Sequence, residues 1–188
     1  MITNYERILD IILDDLIPLT KISINEGNKM FGGFIVKKSD MSLVCLGTNQ
    51  EIKNPLFHGE ISTLFNLFEK KLFNTKDYYF ISTHQPCSMC LSAITWAGFD
   101  NFYYFFSYTD TKEGFHIPHD LKILSEVFEI KDGNYNIGDI AVEIEAFIIS
   151  LNTDNAFING YMNFFTNLSK EFNLNSKSKS SSKYIKQS

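Results

Sequence analysis

Along the first two dozen residues, Ile8, Leu9, Ile12, Leu16 and Leu19 recur at helical spacing. That stripe predicts an amphipathic opening helix over Tyr5 to Ile24, with Pro18 as the point where it would kink or divide. Gly27 offers a stop. The period then changes: Phe31 to Val36 and Met41 to Leu46 are apolar runs of strand length on either side of the turn Lys37-Lys38-Ser39-Asp40, which predicts a hairpin. A loop from Gly47 to Pro55 leads to a second helical stripe made of Ile61, Leu64, Phe65, Leu67, Phe68 and Leu72. Asp77 to Ser82 predicts a short strand rich in aromatics, Pro86 to Trp96 another helix, and Asn101 to Phe106 a further clear strand.

The pattern weakens towards the carboxyl terminus. Asp120 to Phe128 and Asp154 to Leu168 carry helical spacing, and Ile140 to Ile149 that of a strand. Ser176-Lys177-Ser178-Lys179-Ser180-Ser181-Ser182-Lys183 holds too little apolar surface to pack, which predicts a solvated, disordered tail. The expected organisation is one domain over residues 1–172 and a Ser/Lys-rich tail over 173–188. No internal repeat is present.

Charge and composition narrow the classes. The chain has 188 residues, net charge −5, and Arg7 as its only arginine. Nucleic-acid binding rests on clustered Lys and Arg, so a large polyanionic partner is not expected. The same scarcity argues against a nucleotide held by bidentate phosphate contacts. No apolar run approaches the roughly 20 residues that span a bilayer, and Met1 to Arg7 lacks a basic start leading into an apolar signal region, so the expected location is the cytoplasm, away from membranes. Three cysteines make no disulfide framework, and Cys45, inside Leu43-Val44-Cys45-Leu46, is expected to be a buried strand residue.

Chemistry concentrates in two short runs, His58-Gly59-Glu60 and Pro86-Cys87-Ser88-Met89-Cys90. One imidazole and two thiolates are a three-ligand set for Zn2+ that leaves the fourth tetrahedral position to water, the pattern of a catalytic site. Cys87 and Cys90 stand at i and i+3 on one face of a helix start, where the positive end of the helix favours thiolates. Glu60 is near enough to move protons for the water without being a ligand. Cys-x-x-Cys alone would also suit a redox pair; the upstream His-x-Glu is what such a pair does not require.

These two runs resemble those of the cytidine deaminase superfamily, whose zinc deaminases carry H-x-E followed by P-C-x-x-C. The free-base branch is most similar. His58-Gly59-Glu60-Ile61-Ser62-Thr63 is like fungal cytosine deaminases, and the run from Pro86 through Cys87, Met89, Cys90, Leu91, Ala93, Ile94, Trp96 and Ala97 is like bacterial guanine deaminases. Phe31-Gly32-Gly33 resembles the family's Phe-Gly-Ala, and Gly47-x-Asn49 the position whose asparagine contacts substrate. The resemblance implies a three-layer α/β/α sandwich with a five-stranded mixed sheet, a homodimer, and hydrolytic deamination of a free nucleobase. Guanine stands ahead of cytosine, with a tRNA adenosine deaminase or a cytidine-type nucleoside deaminase as alternatives. It implies His58, Cys87 and Cys90 as zinc ligands, Glu60 as the acid/base, and Asn49, Phe31, Gly59 and Trp96 as substrate contacts. Gln85 stands where many relatives have glutamate. His84, His116 and His119 are expected on the surface or in loops, with His84 close enough to the motif to line a pocket; Asp120 remains without an assigned role.

Overall fold

A computed structural model describes residues 4–128 and Ala141–Glu143. The opening segment is continuous and helical, but in three pieces: α1 (Tyr5–Ile11), a wide π turn (Ile12–Leu16) and α2 (Ile17–Asn25). Pro18 does not break it. A proline ring collides with the carbonyl four residues back and leaves that acceptor without its donor; the π turn lies over this stretch, so the helix continues past the proline. The extra residue in the turn also moves the buried stripe. Ile8, Ile11, Ile12, Leu16, Ile17, Thr20 and Ile24 are buried, and the expected Leu19 is only half-buried.

The hairpin is β1 (Gly32–Lys37) and β2 (Leu43–Thr48), followed by α3 (Gly59–Glu69), β3 (Tyr78–His84), α4 (Ser88–Trp96) and β4 (Phe102–Phe106). Two further helices come next, α5 (Tyr108–Phe115) and α6 (His119–Glu126), and a three-residue strand, β5 (Ala141–Glu143). The order across the sheet is β2-β1-β3-β4-β5. β1 pairs antiparallel with both β2 and β3, while β3–β4 and β4–β5 are parallel, so the sheet is mixed. Residues 4–128 supply four strands; the fifth is short, and the rest of the expected strand Ile140 to Ile149 lies outside the described residues, as do the expected helix Asp154 to Leu168 and the tail.

The strands look continuously apolar in sequence because both faces of the sheet are covered. Phe34, Val36, Tyr79, Ile81, Tyr103 and Phe105 point to the side of α1, with Ile8, Ile11 and Ile12. Ile35, Tyr78, Phe80, Phe102 and Tyr104 point to the side of α3 and α4, with Leu64, Leu67 and Ile94. Helix α5 was not legible from periodicity because Thr109-Asp110-Thr111-Lys112-Glu113-Gly114 has no apolar stripe. Its cap is the available signal: Ser107 and Asp110 form a reciprocal capping box.

The first turn of α3 lies against β1 and β2 without room for side chains. A Cβ on Gly59 would stand 2.6 Å from the Gly32 Cα and 2.8 Å from the Phe31 carbonyl oxygen; one on Gly47 would stand 2.6 Å from the Thr63 nitrogen. These neighbours are backbone and cannot turn aside. Gly59→Ala should therefore lose about 1–3 kcal/mol of stability in chemical denaturation, the scale of overpacking, whereas Gly114→Ala in α5, with nothing within 4 Å of its Cβ, should be neutral or slightly stabilising.

Candidate metal centre and active site

His58 and Cys87 are the N-cap residues of α3 and α4, so the two helix starts present their ligands from equivalent positions. The Cys87 sulfur also accepts from the Cys90 backbone nitrogen at 3.5 Å. Cys87 Sγ lies 3.6 Å and Cys90 Sγ 3.7 Å from His58 Nδ1, and the three donor atoms lie within 4.8 Å of one another. Tetrahedral zinc with Zn–S of about 2.3 Å and Zn–N of about 2.0–2.1 Å requires S···N of about 3.6 Å. The donor set therefore fits zinc in both chemistry and spacing, and it is the group of this kind found among the described residues.

The electrostatics agree. Cys87 is held at about 4, chiefly by the hydrogen bond from the Cys90 thiol and also by His58, while Cys90 is raised by giving that hydrogen bond and by burial. With protons alone the pair holds one negative charge; a divalent cation allows both sulfurs to be thiolates. His58 is raised by its hydrogen bond to Cys87, against the opposing effect of burial.

Glu60 is buried in the first turn of α3, and one of its oxygens accepts from Ser82 Oγ at 2.7 Å. Burial raises its pKa and the Cys87 charge adds to this, while the Ser82 hydroxyl works the other way. Sequence reasoning did not find Ser82, which looks like an ordinary polar residue at the end of a strand. Its strand position brings it to Glu60, because β3 runs beside β1, against which α3 begins.

Asn49 is fully buried, and Oδ1 accepts from the Gly59 backbone nitrogen at 2.6 Å. That N–H fixes which end of the amide is oxygen. The remaining Nδ2 faces the Glu51 carboxyl and helps to lower it without making a hydrogen bond of good geometry, so Asn49 offers a donor alone; the sequence had left it both roles. The loop is pinned from below. Ser23 Oγ donates to the Asn49 carbonyl at 2.5 Å, Asn28 Oδ1 accepts from the Ile52 nitrogen at 2.9 Å, and Lys29 bonds Glu51 through its backbone nitrogen and through Nζ, the latter at 2.9 Å. Burial opposes ionisation of Glu51, yet Lys29 holds its carboxyl below the usual range.

Gly59 takes its place as a backbone donor to Asn49. Phe31 is half-buried and meets His84 edge to face, with ring centroids 4.6 Å apart. His84 is in β3 and buried, not on the surface; it stacks on Phe106 at 4.9 Å, and burial lowers it to about 3. Trp96 ends α4, about two and a half turns from Cys87, is 94% exposed, and lines a hollow with Phe73 and Phe68. His116, in the left-handed conformation (φ 57°) after α5, and His119 are exposed. Asp120 lies in the first turn of α6, which packs on α4, and burial with the Cys87 charge pushes its carboxyl up to about 6. The Gln85 side-chain oxygen accepts from the Tyr108 nitrogen at 3.1 Å, a contact that a glutamate would make equally.

Residues 13–106 match the family model described as the cytidine and deoxycytidylate deaminase zinc-binding region. No curated protein sequence matches the chain. A guanine deaminase structure from Bacillus subtilis is 22% identical, with 81% of this chain and 97% of that one covered and a TM-score of 0.52. A structure from work on A-to-I editing by tRNA:A34 deaminases is 17% identical, covering 73% and 98%, with a TM-score of 0.51. A guanine deaminase from Nitrosomonas europaea is 17% identical over 53% of this chain, with a TM-score of 0.47, and the match spans 59% of its own length. The first two likenesses show a shared fold.

The purified protein is expected to hold about one zinc per chain by elemental analysis, and Cys87→Ala or Cys90→Ala to lose it. Cys87 should react with a disulfide reagent near pH 8 once a chelator has removed the metal. Cys45, pushed up to about 12 by burial, and the fully buried Cys90, raised by burial and by its hydrogen bond to Cys87, should react only on unfolding. Full zinc retention in both alanine variants would remove the assignment.

Proposed function

The chain belongs to the cytidine and deoxycytidylate deaminase zinc-binding family, and from this premise we propose that it hydrolytically deaminates a free nucleobase, guanine ahead of cytosine. It is a zinc-dependent hydrolase of the deaminase type. The observation that carries the substrate reading is the Asn49 amide, fully buried with its oxygen committed to Gly59 and its Nδ2, beside the Glu51 carboxyl, without a hydrogen bond of good geometry. A buried donor left unpaired costs about 1–3 kcal/mol, and a substrate carbonyl removes that cost. Asp120 adds a carboxylate on the side of α6 that can accept from a ring N–H. A donor and an acceptor facing one small ring suit a base bearing both C=O and N–H, and guanine presents more of such an edge than cytosine.

His58, Cys87 and Cys90 would hold the metal, which when bound supplies the acidity that makes water nucleophilic near neutral pH. Glu60, fixed through one oxygen by Ser82, accepts the proton of the attacking water with the other. It passes that proton to the ring nitrogen next to the aminated carbon. Glu60 then carries the proton of the added hydroxyl to the amine, the C–N bond breaks, ammonia leaves, and a carbonyl remains on the ring. Phe31, braced by His84, is the ring that faces the base.

The charge balance supports a small neutral substrate. Glu60 and Glu51 act on His58, the charge on Cys87 is felt at Glu60 and Asp120, and Lys29 acts on Asp120 and Glu51; the chain as a whole is at −5 with one arginine. Among the described residues these groups give a tRNA stem little positive charge to meet. On this reading residues 1–172 are the deaminase domain, a three-layer α/β/α sandwich completed by the fifth strand, with 173–188 as its solvated tail and the cytoplasm as its place of work.

Ammonia release should be fastest from guanine, with cytosine at least about tenfold lower in specificity constant, since a mispaired buried edge is worth 1–3 kcal/mol, and with cytidine and a tRNA anticodon stem lower still. A preference for the tRNA stem would overturn the electrostatic argument. Separately, Glu60→Gln should keep zinc and fold yet lose about 10²-fold or more in turnover, the scale of general acid–base catalysis; turnover near that of the unaltered enzyme would exclude the role of Glu60.

A further inference from the structure

Cys87 reaches the metal centre through the turn Gln85-Pro86, which connects the end of β3 to the start of α4. Each residue of a chain has two soft backbone dihedrals, and in this turn few of them remain free. The pyrrolidine ring fixes φ at Pro86, and the Gln85 backbone nitrogen is tied to the Phe106 carbonyl at 2.7 Å. The direction of the Cys87 side chain is then left largely to the rotation of one peptide plane, that between Pro86 and Cys87.

A side chain from another element holds that plane. Tyr108, the first residue of α5, donates its hydroxyl to the Pro86 carbonyl at 2.5 Å, and its ring is buried. Its own backbone is held in turn: the Tyr108 N–H donates to the Gln85 side-chain oxygen at 3.1 Å, and the Ser107–Asp110 capping box closes the helix start around it. Gln85 and Tyr108 therefore clasp each other, the side chain of each bonded to main chain at the other's end of the contact. Phenylalanine would fill the same space at 108. What tyrosine adds is the hydroxyl on this carbonyl.

The metal centre is sensitive to such a plane. Cys87 Sγ stands 3.6 Å from His58 Nδ1, and metal–ligand distances are held within about 0.2 Å, so a small swing of the Pro86–Cys87 peptide moves the sulfur out of range. We infer that Tyr108 is a positioning residue for the metal centre, aiming Cys87 at the site shared with His58 and Cys90 through the Pro86 carbonyl. Tyr108 holds this role whichever base is the substrate, because the role rests on the zinc assignment alone.

The far end of the same helix supplies a control. Thr75 Oγ1 donates to the Ala97 carbonyl at 3.0 Å, about 15 Å along α4 from Cys87, so Thr75→Val removes a similar hydroxyl-to-carbonyl bond without touching the ligand turn. Zinc affinity of the full-length proteins is read by competition with a chelator of known strength, and folding by circular dichroism. Tyr108→Phe should bind zinc about 10–100-fold more weakly than the parent, the usual effect of groups that orient metal ligands, whereas Thr75→Val should match the parent. With cobalt in place of zinc, the visible absorption, which follows ligand geometry, should change in Tyr108→Phe and not in Thr75→Val. If Tyr108→Phe fails to fold, Gln85→Leu, which releases the other half of the clasp, decides by the same measurements. Parent-like affinity and cobalt absorption in the folded variant overturn the role of Tyr108. An equal loss of affinity in Thr75→Val overturns it too, because helix stability and not the aim of Cys87 would then have changed. A parent that binds no zinc overturns the metal assignment and this role with it, while a loss confined to the clasp variants supports it independently of any turnover.

Discussion

The backbone of α3 touches the backbone of β1 at Gly59 and Gly32, and the active site is built outward from that contact. With the helix start pressed onto the sheet, His58 comes to the N-cap, Glu60 to the interior beside β3, and the Gly59 N–H to the Asn49 amide. Thr63 locks the arrangement one turn later, its hydroxyl lying 2.7 Å from the Gly59 carbonyl and 3.0 Å from that of Gly33. Chain geometry, not the strength of any one polar interaction, sets the separation between the groups proposed to bind metal, to move protons and to read the substrate.

The burial of charge around this frame follows the same logic. Glu60, Cys87 and Cys90 are all removed from water, which raises the energy of each in its ionised form. Each has a compensating partner: Ser82 for the carboxylate, the Cys90 backbone N–H for Cys87, and the imidazole for both sulfurs. What these partners leave over is excess negative charge in a small volume, and that is the property that selects a divalent metal for the centre.

Much of this was legible in the sequence, for identifiable reasons. His58, Glu60, Cys87 and Cys90 could be picked out because few uses other than metal-assisted hydrolysis require that set at that spacing, and β1 to β4 because strands covered on both faces must be apolar throughout. Elements whose cause is not apolar periodicity were harder to see. Helix α5 depends on its capping box, the π turn on accommodating Pro18, and Ser82 and His84 take their places through strand register that no local pattern specifies. Trp96 lies in the same motif as the cysteines, and about two and a half turns of helix carry it to the far end of α4.

The hydrogen bond from Gly59 to Asn49 has an evolutionary consequence. Because the amide proposed to read the substrate hangs on the peptide between His58 and Glu60, any displacement of α3 moves all three together. Recognition at this amide cannot drift while the chemistry stays in place. Descendants of such a scaffold are therefore free to change substrate only through groups not fastened to α3, such as the ring of Phe31 and the carboxylate of Asp120. A lineage built on it would diversify widely at those positions while keeping one reaction, the removal of an amine next to a carbonyl-bearing edge.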